Sequence, residues 1–280
     1  MKKNIKKEKK KINLRKIIPI IIIVILLITL FFSIYKIICW HIDNKKTEEQ
    51  IQKVQEIVEI EEVEDNLETE VINPPEEVDE FNPYWDYISM NLINVNFDEL
   101  KNENSDTVGW IQVNGTKVNY PFVQTTDNSY YLTHSFNKRY NQAGWVFLDY
   151  RNNISELDKN TIIYAHARYN GTMFGSLKKI LTNGWLDNSD NHVIKLSTEY
   201  ENTLWQVFSV YHIETTNDYI QVNFSNDSRF LEFANMLKNR SEYNFNTELI
   251  ESDKILTLST CYSDSEKLVL HAKLIKRETK

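Results

Sequence analysis

Residues 17–40 form a nearly uninterrupted apolar run, IIPIIIIVILLITLFFSIYKIICW, in which Lys36 is the single charge. At 1.5 Å per residue, about twenty helical residues cover the roughly 30 Å of a bilayer core. A cleaved signal peptide would have an apolar region of only about 7–15 residues, followed by a small-residue cleavage site. This run is longer and ends in Ile37, Ile38, Cys39 and Trp40. The pattern therefore predicts an uncleaved transmembrane anchor over 17–40.

Charge is distributed unevenly along the chain and predicts how the anchor is oriented. Residues 1–42 carry a net +9, residues 43–80 a net −12 and residues 81–280 a net −5. The positive-inside rule keeps the lysine-rich tail 1–16 in the cytoplasm and sends residues 41–280 outside the cell. The only strongly basic stretch is this short tail, which disfavours a nucleic-acid-binding protein.

Residues 41–80 are rich in glutamate and have apolar residues at partly helical spacing. We expect a solvated helix or a charged extracellular stalk that holds a folded domain off the membrane. Asn73-Pro74-Pro75 ends any helix there. The folded domain is expected to begin near Phe81 and to cover 81–280, and its first section, Pro83–Leu100, has a helix-compatible pattern.

The rest of the chain reads mostly as short strands separated by turn signals. Eight candidates are rich in Val, Ile, Tyr, Trp and Thr: Val108–Val113, Lys117–Gln124, Gly144–Asp149, Thr161–His166, His192–Ser197, Thr203–His212, Lys254–Cys261 and Lys267–Ile275. Asn114-Gly115 is a strong hairpin signal between the first two. Helical patches are expected at Met173–Leu181 and Arg229–Arg240, the latter capped by Asp227 or Ser228. This pattern favours a mainly β barrel or sandwich with added helices.

The positions of the two cysteines indicate where a reactive thiol could lie. Cys39 lies at the membrane edge, so Cys261 is the only cysteine in the exported region and has no disulfide partner. Such a thiol is either a buried core residue or a reactive group.

Two predicted strands and a hairpin carry three candidate reactive side chains. One strand ends at His166 and another at Cys261, and Lys267 follows after a five-residue loop that places it across from the thiol. A cation beside a thiol favours the thiolate or stabilises an oxyanion, and a His–Cys pair is the minimum for thiol-based acyl transfer. Purely structural roles for all three residues remain an alternative. His134, His192, His212 and His271 are assigned no role.

Several segments resemble one enzyme family. Thr257-Leu258-Ser259-Thr260-Cys261 is similar to the TLxTC signature of sortases. The segment from Tyr164 to Leu177, which contains His166, resembles the region of the catalytic histidine in class B sortases. The segments 108–121 and 127–132 also resemble class B, and the likeness spans roughly 83–276 with the motifs in the family's order.

The resemblance implies an eight-stranded sortase-type β-barrel with added helices, preceded by the transmembrane helix. It implies a cell-wall sorting cysteine transpeptidase of Gram-positive bacteria, in which Cys261 attacks a Thr–Gly-type bond in a surface protein's C-terminal sorting signal. An amine of a lipid II-type peptidoglycan precursor, or of a pilin subunit, would then resolve the thioester. His166 would act as the general acid and base, and no cofactor is required.

One position departs from the family pattern. Lys267 stands where sortases carry an arginine, and a lysine is a point charge without the planar multi-donor fork. The substitution predicts reduced but measurable activity, or an arginine supplied from elsewhere, for which Arg168 is a candidate. Complete loss of catalysis, leaving a binding or scaffold protein, is the alternative.

The class B resemblance also implies a substrate groove. Its residues map onto Asn128, Leu132, Thr215, Tyr219, Ile220, Ser259 and Thr260. From the residues alone, the loop containing Tyr219 could equally be a plain surface loop with the ring packed inward. Two other classes of thiol enzyme are disfavoured. Papain-like enzymes have the cysteine before the histidine in the chain, whereas His166 precedes Cys261 here. An L,D-transpeptidase would have a histidine and a glycine shortly before the cysteine, and neither is present shortly before Cys261. No metal site is expected, because no His, Asp or Glu cluster has ligand spacing.

Overall fold

The computed structural model describes residues 14–63, 69–75, 83–261 and 265–280. Within these ranges the α-helices are α1 Leu14–Ile57, α2 Tyr84–Ile88, α3 Asp98–Glu103, α4 Asn183–Leu186 and α5 Asp227–Asn239. The strands are β1 Glu59–Val63, β2 Thr69–Val71, β3 Leu92–Asn96, β4 Thr107–Val113, β5 Asn119–Val123, β6 Phe147–Leu148, β7 Asn160–Tyr164, β8 Val193–Thr198, β9 Glu201–Glu214, β10 Ile255–Cys261 and β11 Glu266–Thr279. Short 3-10 helices lie at Tyr130–Leu132, Phe174–Lys179 and Ser189–Asn191.

The chain divides into two compact units, one ending at Asp43 and the other covering Asn44–Lys280. In the first unit, most of the large apolar side chains of α1 between Ile17 and Ile42 are exposed. Among the described residues, α1 is the helix whose length and composition make it a candidate membrane span. Of the predicted cytoplasmic tail, residues 1–13 lie outside the described residues.

The second unit is built around a closed barrel of eight strands. Neighbouring strands pair in the order β10-β7-β6-β5-β4-β8-β9-β11, and β11 pairs back onto β10 to close the ring. Closure satisfies the backbone groups that a free sheet edge would expose. The eight predicted strands are the eight barrel strands, so the predicted mainly β barrel is confirmed.

Large aromatic side chains fill the second unit's core, and a tight turn joins β4 to β5. Trp110, Trp145 and Trp205 are at most 1% exposed. The predicted turn between β4 and β5 contains Gly115 at a φ of +69°. This left-handed backbone favours glycine, and a Cβ there would also lie 2.2 Å from Oδ1 of Asn191 and displace that side-chain amide.

The predicted stalk over 41–80 differs from the structure, which places residues from Asn44 onward in the barrel's compact unit. Val54 is only 1% exposed, and Asn141 donates a 3.0 Å hydrogen bond to Thr47. β1 pairs with β3, and β2 extends the sheet alongside β11. The apolar residues between the glutamates therefore serve packing, which the acidic composition concealed. The predicted start at Phe81 lies outside the described residues.

Three local predictions also need correction. The section 83–100 is not continuously helical, because β3 lies between α2 and α3. The helix predicted over 173–181 is a six-residue 3-10 helix. α5 is capped by Asn226, whose side chain accepts from the Arg229 amide, so the predicted caps were one or two residues late.

A buried histidine occupies the middle of β11. His271 is 0% exposed and lies between the hydroxyls of Tyr211 and Thr257, each 2.9 Å away. Thr257 donates its proton to Oδ1 of Asn160, so it accepts from Nδ1–H of His271, while Nε2 accepts from Tyr211. Burial, reinforced by the charge of Arg240, lowers the pKa of His271 to about 3.

We expect this histidine to make the domain acid-labile. The folded pKa lies below the usual value of about 6.5, so the neutral ring's contribution to stability is complete above that pH and is lost as the pH falls toward 3. Between pH 7 and pH 5 the free energy of unfolding should drop by about 2 kcal/mol from this site. Thermal unfolding followed by tryptophan fluorescence across this pH range checks the slope. A His271→Gln variant as steeply acid-labile as the wild type would contradict the assignment.

Candidate active site

Cys261 and Lys267 face each other across the β10–β11 ladder. They are directly paired in the antiparallel register, and Nζ of Lys267 lies 3.0 Å from Sγ of Cys261. Both residues are half-buried, and the thiol is free. Residues 262–264 of the predicted connecting loop lie outside the described residues. The pairing brings the cation onto the sulfur, as the hairpin spacing predicted.

His166 reaches the same end of the barrel because β7 runs parallel to β10. Tyr164 pairs with Ser259 in this register, and the Thr260 hydroxyl donates a 2.8 Å hydrogen bond to the carbonyl of Ala165. The Nε2 atom of His166 lies 2.8 Å from the carbonyl oxygen of Leu132. A carbonyl only accepts, so Nε2 carries the proton and Nδ1 is left to gain or lose one.

The surroundings of His166 favour its neutral form. Burial is the largest cause that lowers its pKa, and the positive charges of Arg168 and Lys267 act in the same direction. The hydrogen bond to the Leu132 carbonyl opposes them without reversing the shift. At neutral pH the ring is therefore predominantly a base.

A groove of about 420 Å³ opens over these side chains. It is lined by all ten residues singled out from the sequence: Asn128, Leu132, His166, Thr215, Tyr219, Ile220, Ser259, Thr260, Cys261 and Lys267. The structure thus brings together residues from four separate parts of the chain. Five further lining residues were not anticipated: Phe147, Tyr164, Ala165, Thr216 and Asn217. Tyr164 and Ala165 come just before His166, and this adjacency was the available signal for them.

The loop 215–220 is tied to the strand that carries the thiol. The Tyr219 hydroxyl lies 2.9 Å from Oγ of Ser259, and the ring is only 3% exposed. The backbone amide of Thr215 donates a 2.9 Å hydrogen bond to the carbonyl of Ser265. Tyr219 therefore packs inward, as one of the two interpretations of this loop had it, and it also forms part of the groove wall.

Arg168 does not take the place of the missing arginine. Its guanidinium donates to Oδ1 of Asn44, and it lines a separate cavity together with Lys117 and Lys179. Its effect on the site is the long-range one on the pKa of His166. In the described part of the chain, no group of three or more His, Cys, Asp or Glu side chains could hold a metal ion.

Comparison with known proteins agrees with this architecture. The Sortase domain profile matches residues 111–275. The chain is 36% identical over 184 residues to sortase B of Staphylococcus aureus, covering 64% of this chain and 75% of that protein. It is 35% identical over 185 residues to sortase B of Listeria monocytogenes, covering 63% and 73%. A crystal structure of sortase B from Bacillus anthracis superposes with a TM-score of 0.66 at 31% identity, covering 86% of this chain and 99% of that chain.

Proposed function

This chain belongs to the sortase family, with class B sortases as its relatives, and we propose that Cys261, His166 and Lys267 form its transpeptidase centre. The observation that carries the proposal is the 3.0 Å contact between Nζ of Lys267 and Sγ of Cys261 in a groove that His166 also lines. A nucleophile, a proton carrier and a fixed positive charge are the groups that acyl transfer through a thiol needs.

In the first half-reaction, the Cys261 thiolate attacks the carbonyl carbon of a Thr–Gly-type bond in a sorting signal. The C–N bond breaks, the acyl group stays on sulfur as a thioester, and the departing glycine amine takes the Nδ1 proton of His166, which is present in the imidazolium fraction of the enzyme. In the second half-reaction, an acceptor amine attacks the thioester. The neutral His166 removes the excess proton, an amide forms and the thiolate is regenerated.

Lys267 supplies the charge that these steps require. Its ammonium group lies against the sulfur, where it stabilises the thiolate before attack and the oxyanion that develops beside it. A lysine offers a single point charge, whereas an arginine could hold the substrate backbone and the oxyanion together. We therefore infer a working centre with turnover below that of an arginine-bearing one.

The chain's N-terminal segments fit an enzyme that works at the membrane surface. The candidate span in α1 would anchor it, and the basic tail 1–16 would keep the N-terminus in the cytoplasm. The barrel unit would then meet exported surface proteins and an amine acceptor outside the cell. That acceptor is a lipid-linked peptidoglycan precursor, or a pilin lysine in the polymerising alternative.

Peptide cleavage tests this proposal. Full-length chain in detergent micelles would be incubated with a panel of peptides that each contain a Thr–Gly bond, with triglycine or a lysine-bearing peptide as the acceptor. We expect one sorting motif to be cut after threonine and joined to one acceptor, as detected by mass spectrometry. No cleavage across the panel, together with a Cys261 thiol inert to alkylation, would instead favour the binding or scaffold alternative.

Replacing Lys267 separates a catalytic cation from a solvated edge charge. Lys267→Ala should lower kcat/KM by about 10²–10³-fold, the usual cost of one oxyanion donor. Lys267→Arg should raise turnover several-fold, because the fork adds donors. Arg277→Ala, on the same strand and ion-paired with Glu70, is the matched control and should leave turnover unchanged. Full activity in Lys267→Ala would remove this side chain from the mechanism.

A further inference from the structure

Asp149 lies just after β6, behind the groove wall, and is 0% exposed. We propose that Asp149 is a positioning residue that fixes three separate walls of the groove relative to one another. The inference rests on the proposed function, since it assumes that the groove around Cys261 binds a peptide. Asp149 is not among the residues that line the groove, so its effect would pass through its neighbours.

The carboxylate gathers four hydrogen bonds from side chains. Arg151 donates from Nε at 2.8 Å and from Nη2 at 2.7 Å, one to each oxygen. The Tyr164 hydroxyl donates at 2.9 Å and Nδ2 of Asn128 at 3.0 Å, both to Oδ2. Burial alone would raise the pKa of Asp149, but the hydrogen bonds from Arg151 and Tyr164 outweigh it and hold the pKa below its usual value.

Each of these donors connects to a different wall. Asn128 begins the segment that leads to Leu132, whose carbonyl holds the His166 ring. Tyr164 ends β7 two residues before His166. Arg151 also donates a 2.9 Å hydrogen bond to the carbonyl of Ile220, in the loop before α5.

Only a carboxylate can satisfy this arrangement. With the backbone amide of Arg151, which donates a 3.0 Å hydrogen bond to Oδ1, the site presents five donors, and an amide at position 149 would offer one oxygen and turn two N–H groups toward other donors. The Arg151 guanidinium, whose side chain is 34% exposed, would also lose its counter-charge. An asparagine should therefore release part of the network, with the loop around Ile220 and the segment around Asn128 as the freed parts.

The expected effect is on peptide binding and not on the thiol itself. Asp149→Asn should raise KM for the sorting peptide at least tenfold with a smaller change in kcat. Alkylation of Cys261 by iodoacetamide should stay within twofold of the wild type, because the Cys261–Lys267 pair does not touch Asp149. Arg151→Gln should give the same split, and the double variant should be no worse than either single one, because both changes break one network.

Asp253 provides a matched control. It is also 0% exposed, and its oxygens accept from Nδ2 of Asn73 and from the Ile250 amide, both at 2.8 Å. It lies before the start of β10, and at about 3.3 Å per residue that strand places Cys261 roughly 20 Å away. Asp253→Asn should lower the melting temperature by about as much as Asp149→Asn does, and it should leave KM for the sorting peptide unchanged.

Hydrogen–deuterium exchange tests the same inference without requiring peptide turnover. In Asp149→Asn, amide exchange should rise in 125–132 and in 215–221, and in Asp253→Asn it should not. A KM within twofold of the Asp253→Asn value, or alkylation that falls in parallel with peptide turnover, would overturn the inference. If the wild-type chain cleaves no peptide, the proposed function fails, and exchange then decides alone: an increase confined to those two segments supports the positioning role, and unchanged exchange refutes it.

Discussion

Replacing Cys261 with alanine should reduce peptide cleavage and transfer to the uncatalysed level, a loss of at least roughly 10⁴-fold. The thiol lies half-buried at the end of β10, where Sγ contacts Nζ of Lys267, and no other described residue in the groove is a cysteine. Alanine removes the nucleophile and leaves the strand pairing intact, so the melting temperature should stay within a few degrees of the wild type. Initial rates from peptide mass spectrometry measure the loss.

The chain offers a matched control for this variant. Cys39 is its only other cysteine, and it belongs to the first compact unit. Cys39→Ala should retain full turnover. Activity that survives in Cys261→Ala, or disappears in Cys39→Ala, would place the nucleophile elsewhere.

Replacing His166 with alanine should lower kcat/KM for a peptide substrate by about 10²–10⁴-fold, the usual contribution of a positioned general acid and base. The loss should be concentrated in acylation, because the glycine amine needs a proton to depart. A thioester analogue of the peptide releases a thiol, which departs without that proton. The His166→Ala variant should therefore lose much less of its acylation rate with the thioester than with the peptide.

The pH dependence gives an independent check on His166. Burial and the nearby cations lower its pKa, so the protonated acid becomes scarce as the pH rises through a value below the usual 6.5 or so. An NMR titration of the ring should show this low midpoint, and Lys267→Ala should move it upward by removing a positive charge.

His212→Gln, which alters a ring paired with Glu242, is the control for the kinetic test and should leave the rates on the peptide and thioester substrates unchanged. Equal losses on peptide and thioester substrates would contradict the acid role.

The barrel could be predicted from the sequence because its strands carry strong local signals. Val, Ile and Trp runs bounded by turns marked all eight, and the short connection from Cys261 to Lys267 fixed which side chains meet across the hairpin. The groove residues Asn128, Leu132, Thr215, Tyr219 and Ile220 came from the family resemblance, because local patterning could not place their segments beside Cys261. The proximity of His166 to Cys261 depends on the parallel pairing of β7 with β10, which is a long-range contact.

The parts that escaped prediction depend on tertiary packing. The glutamates around Val54 suggested a solvated stalk, although the intervening apolar positions are those of a helix packed against a barrel. Asp149 gave no signal, because its donors come from segments around 128, 151 and 164 that are joined only in the fold. Arg168 is close to His166 in sequence, yet its guanidinium is bonded to Asn44.

Intact-protein mass spectrometry of the acyl-enzyme tests the central claim most directly. Full-length chain in detergent would be mixed with an intact sorting peptide that it cleaves, in the absence of an acceptor amine, and then digested to locate the adduct. We expect the acyl fragment ending in threonine on Cys261, released by hydroxylamine and transferred to an added acceptor amine. A peptide that is cleaved with no adduct on Cys261, or with an adduct on another residue, would contradict the account.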